Sequence, residues 1–300
     1  MTTPHRVAWI TDPHLNFLRQ PEYVTHFGAS VVEEHRPQSV ILTGDIAEHD
    51  NFVDLLNKFN EGLRDGLQGS EYSTNTSADR VHLYFVLGNH DAYGGGIASA
   101  RKQATRLSLL SSTITYLTIG EVVELTPTVA LVGHDGWYDA RHGYPVGSTV
   151  DMNDFYHIAE LTSSNDPDGY LMVRDPRPRN RIIEACQVIA DRYAEEARVS
   201  LRTALAIYPT VVFATHVPPF IGSTWHDGAT SNDNYLPWFS SKAMGDMLAI
   251  EADNHPHRNI LVLCGHTHGE GEYQARPNLR VLTGAARYGM PAVCKTFDFT

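Results

Sequence analysis

The stretch LVLCGHTHGE, Leu261–Glu270, ends a run of apolar and small residues with two histidines that stand two positions apart. A short apolar run that stops at a glycine is typical of a strand that enters a turn. His266 and His268 would not share one face of a helix, because neighbours on a helical face are three or four residues apart. Two imidazoles at this spacing, on a strand-to-loop turn, indicate a metal site.

Five other short apolar runs along the chain end in similar residues. Each apolar run leads directly into polar or flexible residues: RVAWI into TDPH, SVILT into GD, VHLYFVL into GNHD, VALV into GHDG, and TVVFA into TH. Runs of this length that are rich in Val and Ile and bounded by turn residues predict buried strands. Helical patterns lie between several of them, as in RIIEACQVIADRYAEEA, where Ile182, Cys186, Ile189 and Tyr193 fall at helical spacing. This alternation predicts a layered α/β domain, and open α/β sheets carry their sites where the strands end.

The composition excludes several classes of protein. Of the 300 residues, 42% are hydrophobic and 19% are charged, so a large core can form. The sequence contains no run of 18 apolar residues, so it predicts no membrane-spanning helix. The three cysteines form no CxxC pair, which argues against a disulfide framework. The first residues lack the pattern of a signal peptide, so we expect a cytoplasmic protein. The net charge of −12 argues against nucleic acid as a partner.

The polar residues at the strand ends form a set of metal-binding types. Imidazoles, carboxylates and an amide oxygen together suit a borderline metal such as Mn, Fe, Zn, Co or Ni. Seven donors are too many for one tetrahedral ion, but they suit two ions that share a bridging carboxylate. The candidate ligands are Asp12, His14, Asp45, Asn89, His216, His266 and His268.

The order of these motifs resembles the calcineurin-like metallophosphoesterase superfamily, and within it the class III cyclic-nucleotide phosphodiesterases. The motifs are D-x-H (12–14), G-D (44–45), G-N-H-D (88–91), a lone histidine (216) and G-H-x-H (265–268), and they span nearly the whole chain. The resemblance implies a four-layer αββα sandwich of two mixed sheets flanked by helices. It also implies a dinuclear centre of divalent or trivalent ions.

Matching motif by motif, the resemblance assigns a role to each residue. Asp12, His14 and His268 would hold the first metal, whereas Asn89, His216 and His266 would hold the second. Asp45 would bridge the two ions. His90 matches the catalytic histidine of the family, which is not a ligand and would protonate the leaving oxygen or stabilise the phosphoryl charge. Many relatives place an aspartate where this chain has Glu48, so Glu48 either orients His90 or is a surface carboxylate.

The implied reaction is hydrolysis of a small phosphate ester by in-line attack of a hydroxide that bridges the metals. A phosphodiester is the first expectation for the substrate. The alternatives are a small phosphomonoester or a nucleotide pyrophosphate. The negative net charge argues against a nuclease of the same superfamily. The presence of a suitable residue at every ligand position argues against a non-catalytic scaffold. The motif set says nothing about which metals are native or about the oligomeric state.

The domain organisation follows from the same pattern. The motifs run from residue 12 to residue 268, so we expect residues 1–300 to form one phosphoesterase domain. The stretch around 139–180 is rich in Gly, Pro, Asp, Asn and Tyr and predicts a loop-rich insertion over one face.

Overall fold

The computed structural model describes residues 4–68, 80–162 and 176–300. The strands are β1 (His5–Ile10), β2 (Ser39–Thr43), β3 (His82–Val86), β4 (Ile114–Tyr116), β5 (Val123–Thr126), β6 (Val129–Gly133), β7 (Thr210–Ala214), β8 (Trp225–His226), β9 (Ala229–Thr230), β10 (Asn259–Cys264), β11 (Gly271–Arg276), β12 (Leu279–Thr283) and β13 (Lys295–Phe299). The α-helices are α1 (Pro21–His35), α2 (Phe52–Gln68), α3 (Ile97–Leu110), α4 (Asp154–His157), α5 (Arg179–Ile207), α6 (Leu236–Phe239) and α7 (Lys242–Asn254).

The strands form two large mixed sheets and one small hairpin. The first sheet has the order β13-β1-β2-β3-β4, and the second has the order β11-β12-β10-β7-β6-β5. The inner strands of both sheets run parallel, and antiparallel strands close the edges at β13, β11 and β5. The parallel strands β1, β2 and β3 therefore end at one edge of the first sheet, and β7 and β10 end at one edge of the second.

The alternation of side chains along each strand creates the layers. On β1, Ala8 and Ile10 pack under helices α1 to α3, whereas Val7 and Trp9 face the second sheet. On β10, Val262 packs under α5 and α7, and Leu263 faces the first sheet. Successive strand residues point to opposite faces, so strands that are buried on both faces need apolar residues at every position. The result is a helix–sheet–sheet–helix sandwich, which confirms the predicted four-layer architecture.

The predicted loop-rich insertion around 139–180 lies only partly within the described residues, because 163–175 fall outside them. Its described part contains α4, a turn of 3₁₀-helix at Ala159–Leu161, and a bridge that pairs Thr162 with Pro176. The segment that contains α4 packs into the core, since Phe155, Ile158 and Leu161 are all buried. None of the helices in the described ranges combines the length and apolar composition needed to cross a membrane.

Candidate metal centre

The ends of five parallel strands bring the predicted ligands into one place. Within the described residues, two groups of His, Asp and Glu side chains could hold a metal ion. In each group the ligand atoms lie within 4.8 Å of one another, and Asp45 belongs to both. The first group is Asp12, His14, Asp45 and His268, and the second is Asp45, His216 and His266.

The first group consists of two carboxylates and two imidazoles, all buried except His268, which is partly exposed. The Nε2 atoms of His14 and His268 lie 3.2 Å apart, and His268 Nε2 lies 3.5 Å from Asp12 Oδ1. The backbone N–H of His266 donates to the carboxylate of Asp12, and the Thr11 hydroxyl donates to Asp12 Oδ2 at 2.5 Å. Asp12 is thus fixed by donors outside the group, and two imidazole nitrogens remain directed at its centre.

In the second group, hydrogen bonds to backbone carbonyls fix which nitrogen of each imidazole carries the proton. His216 Nδ1 lies 2.9 Å from the carbonyl oxygen of Thr43, and His266 Nε2 lies 2.9 Å from that of Trp238. A carbonyl oxygen only accepts, so each of these nitrogens donates its N–H. The opposite nitrogens, His216 Nε2 and His266 Nδ1, therefore direct lone pairs at each other across 3.2 Å. Such partners of the second ring nitrogen are typical of metal-binding histidines.

Asn89 adds a third acceptor to this group. Its Oδ1 lies 3.0 Å from His216 Nε2 and 2.9 Å from His266 Nδ1. Its Nδ2 donates in the opposite direction, to Asp154 Oδ1 at 2.9 Å. Three acceptor atoms that face one another without a shared proton repel, and a cation between them removes the repulsion. The donor set therefore fits a metal ion, and its mixed N and O character fits a borderline divalent one.

Asp45 stands between the two groups. Its Oδ1 lies 3.4 Å from His216 Nε2, and its Oδ2 lies 3.9 Å from His14 Nε2. The pKa values of Asp12 and Asp45 shift in opposite directions, although both side chains are buried. Burial alone would raise the pKa of Asp12, but the hydrogen bond with His268 and the neighbouring imidazoles lower it below its ordinary value. Burial, and then repulsion from Asp12, raises the pKa of Asp45 well above its ordinary value.

Two of the imidazoles, those of His14 and His266, are held in the unprotonated form that can bind a metal. Burial lowers the pKa of His14 to about 3. Burial, and then repulsion from His216, lowers the pKa of His266 to about 4. A metal binds an unprotonated imidazole nitrogen, so both side chains are ready for coordination at neutral pH.

His90 lies beside the shared carboxylate. Its backbone N–H donates to Asp45 Oδ1 at 2.9 Å, and its Nε2 lies 3.9 Å from Asp45 Oδ2. The ring stacks on Tyr93, with centroids 4.3 Å apart and an interplanar angle of 25°. Burial, and then repulsion from His216, lowers the pKa of His90 to about 3. His90 is therefore an uncharged imidazole at the edge of both groups.

Glu48 is half-buried nearby, but it has a different partner. Asn16 Nδ2 lies 3.4 Å from Glu48 Oε1. The Nδ1 atom of His90 is buried and has no hydrogen-bond partner among the described residues. The described residues thus show no hydrogen bond between Glu48 and His90, and the orienting role of Glu48 stays a prediction.

Tight backbone geometry is common to most of the ligands. Asp12, His14, Asp45, His266 and His268 all have positive φ, between 42° and 68°. A β-carbon on Gly265 would collide with the side chains of Asp12 and Thr11, and one on Gly88 would collide with Asp45. The glycines that begin the GHTH and GNHD motifs are therefore required by close approach of the carboxylates.

Sequence reasoning missed the groups that orient the ligands. Asp154 comes from the predicted insertion, and Thr43 and Trp238 contribute backbone carbonyls, which leave no signal in the residue types. For Asp154, the one available signal was a carboxylate directly before two aromatic residues, Phe155 and Tyr156, in a loop-rich stretch.

Comparisons with known proteins agree with this geometry. A family model for calcineurin-like phosphoesterases matches residues 5–270. The chain therefore belongs to the calcineurin-like phosphoesterase family, which confirms the resemblance. It is accordingly a metal-dependent phosphoric ester hydrolase, and the family and the two residue groups together indicate a dinuclear centre.

Among solved structures, a dimetal phosphatase from Danio rerio is similar, with 12% identity, a TM-score of 0.54, and coverage of 97% of this chain and 90% of that chain. The protein TT1561 of Thermus thermophilus has 14% identity and a TM-score of 0.49, covering 95% of this chain and 90% of that one. A 5'-nucleotidase from Candida albicans has 14% identity and a TM-score of 0.42, covering 96% of this chain and 47% of that one. The first likeness supports the fold, and no conclusion rests on the other two. No curated protein matches the chain.

Proposed function

We propose that the chain hydrolyses a small phosphodiester at a dinuclear metal centre. The observation that carries the proposal is the shared carboxylate: Asp45 belongs to both donor groups, and His90 lies 3.9 Å from it. In this assignment Asp12, His14 and His268 would hold one ion, Asn89, His216 and His266 would hold the other, and Asp45 would be shared by both. Two bound ions would neutralise phosphoryl oxygens and supply hydroxide near neutral pH.

The charge around the site favours a diester over a monoester. Across the described ranges, no lysine or arginine forms a hydrogen bond or ion pair with any of the seven ligands or with His90. A monoester carries close to two negative charges at neutral pH, whereas a diester carries one. A site in which no lysine or arginine contacts the ligands or His90 is better matched to the single charge.

In this proposal, His90 would donate a proton to the leaving group. Its backbone N–H is held by Asp45 and its ring by Tyr93, so the imidazole has a fixed position at the edge of the site. The free imidazole is uncharged at neutral pH, because burial lowers its pKa. An anionic phosphate beside it raises that pKa, since a nearby opposite charge favours the protonated form. Protonated His90 would then donate to the leaving oxygen.

The test is hydrolysis of bis(p-nitrophenyl) phosphate compared with p-nitrophenyl phosphate, with added Mn²⁺. The wild type is measured beside Asp45→Asn, and Asp50→Asn serves as a control at an exposed carboxylate. We expect the wild type to hydrolyse the diester faster than the monoester. Asp45→Asn should lose this activity, and Asp50→Asn should keep it. Faster turnover of the monoester would make the protein a phosphomonoesterase. Equal activity in wild type and Asp45→Asn would refute the shared-carboxylate site.

A further inference from the structure

Asp154 is a fully buried carboxylate with no cation beside it among the described residues. It begins helix α4 and has 0% exposure. It accepts hydrogen bonds from Asn89 Nδ2 at 2.9 Å, from the Tyr138 hydroxyl at 2.7 Å and from the Tyr93 hydroxyl. Removing a carboxylate from water is costly unless it is well satisfied, and a neutral acceptor would be cheaper if only packing mattered.

The carboxylate determines which way the Asn89 amide points. Asp154 Oδ1 accepts a hydrogen bond from Asn89 Nδ2, so the NH₂ group of Asn89 faces Asp154. The amide oxygen is then directed at His216 Nε2 and His266 Nδ1, at 3.0 and 2.9 Å. If the amide were reversed, its oxygen would meet the carboxylate, and its NH₂ group would point into the second donor group.

The same carboxylate also holds the ring that supports His90. Tyr93 donates its hydroxyl to Asp154, and its ring stacks on His90. One buried side chain is therefore connected to both a predicted ligand of the second metal and the predicted catalytic imidazole. It is not connected in this way to the first donor group.

We infer that Asp154 is a positioning residue that aligns the Asn89 oxygen for the second metal and fixes the ring beneath His90. The segment around α4 is then part of the site, although it lies in the stretch that the sequence marks as an insertion. This inference rests on the proposed dinuclear centre. Residues that orient metal ligands typically contribute about 10- to 100-fold in metal affinity.

The test is calorimetric titration of the metal-free full-length protein with Mn²⁺. For Asp154→Ala we expect binding of one Mn²⁺ to weaken by about 10- to 100-fold, and binding of the other to change little. Tyr138→Phe is the matched control, because it removes a hydrogen bond to the same carboxylate but leaves the Asn89 contact. It should retain both affinities. Thermal unfolding of each metal-free variant shows whether the fold is intact.

A double-substitution cycle tests the connection with Asn89. Asn89→Ala should weaken the same Mn²⁺ site, and adding Asp154→Ala should cause little further loss, because the two act through one contact. Additive losses would overturn the inference, and so would unchanged Mn²⁺ affinities in Asp154→Ala. Equal losses at both sites in Asp154→Ala and Tyr138→Phe would show a structural role only. If the wild type itself bound a single Mn²⁺, the dinuclear proposal would fail instead.

Discussion

Asp45 holds the backbone of His90 by one hydrogen bond and lies close to its imidazole ring. Asp45 Oδ1 accepts the backbone N–H of His90 at 2.9 Å, and Asp45 Oδ2 lies 3.9 Å from the imidazole Nε2. The carboxylate that both donor groups share thus also sets the position of the predicted catalytic imidazole. The first contact uses only backbone atoms of His90, so the His90 side chain can be removed without breaking it.

Removing the imidazole should slow hydrolysis without emptying the metal site. For His90→Ala we expect kcat to fall by about 10²- to 10⁴-fold on a diester with an alkyl leaving group, since proton donation contributes on this scale. The loss should be much smaller for p-nitrophenol, which leaves without a proton. The measurement is kcat for both substrates, with bound Mn²⁺ measured as a control. An equal loss for both would instead assign His90 to charge stabilisation.

The role of Glu48 can be separated from a surface role by comparison with its neighbour. If Glu48 orients His90 during turnover, Glu48→Gln should lower kcat by about tenfold, which is the lower range for an orienting residue. Asp50→Asn, at an exposed carboxylate two residues on, should leave kcat unchanged. Rates in Glu48→Gln equal to those of the wild type would leave Glu48 as a half-buried carboxylate bonded to Asn16.

The close approach at Gly265 predicts a local defect in the first donor group. In Gly265→Ala the new β-carbon would displace Asp12 and Thr11, so Mn²⁺ affinity at one site should fall while most of the fold remains. Gly94→Ala is the control. Gly94 has open space around it but a φ of 82°, so its substitution adds backbone strain without a collision. Mn²⁺ titration distinguishes the two, and unchanged affinity in Gly265→Ala would contradict the geometry.

An ion-pair network away from the metals predicts a pH effect on stability. Glu196 contacts His134 Nε2 at 3.1 Å and Arg101 at 2.8 Å. The hydrogen bond with His134, and then that with Arg101, lowers the pKa of Glu196 to about 2, from an ordinary value of 4.5. The carboxylate is 39% exposed, so we expect a contribution of at most about 1 kcal/mol.

The sign follows from the lowered pKa. The unfolded chain binds the proton more readily, so the contribution is complete above pH 4.5 and is lost as the pH falls towards 2. In urea unfolding, Glu196→Gln should be less stable than the wild type at pH 7, and the difference should shrink at pH 3. Glu195→Gln, at a more exposed neighbour, should show a smaller difference at both pH values. A difference that grows in acid would contradict this assignment.

A layered α/β domain with the candidate ligands at strand ends could be predicted from local patterns, whereas the family resemblance implied the four-layer order. Apolar runs such as 39–43 specify buried strands, and parallel strands of one sheet end at the same edge, so Asp12, Asp45 and Asn89 were expected to lie close together. The partners that orient the ligands could not be predicted. Thr43 and Trp238 contribute carbonyls that every residue type has, and Asp154 reaches Asn89 across 65 positions of sequence.

The left-handed backbone at five predicted ligands should make the metal-free protein less stable and easier to degrade. Each such residue costs roughly 1–2 kcal/mol relative to an ordinary conformation, and the facing acceptors of the second group add repulsion. A bound ion offsets these costs only in the folded state. Chelation should therefore lower the melting temperature and speed digestion by an added protease. Molecules that fail to obtain metal would be the first to be degraded, so abundance would follow metal supply.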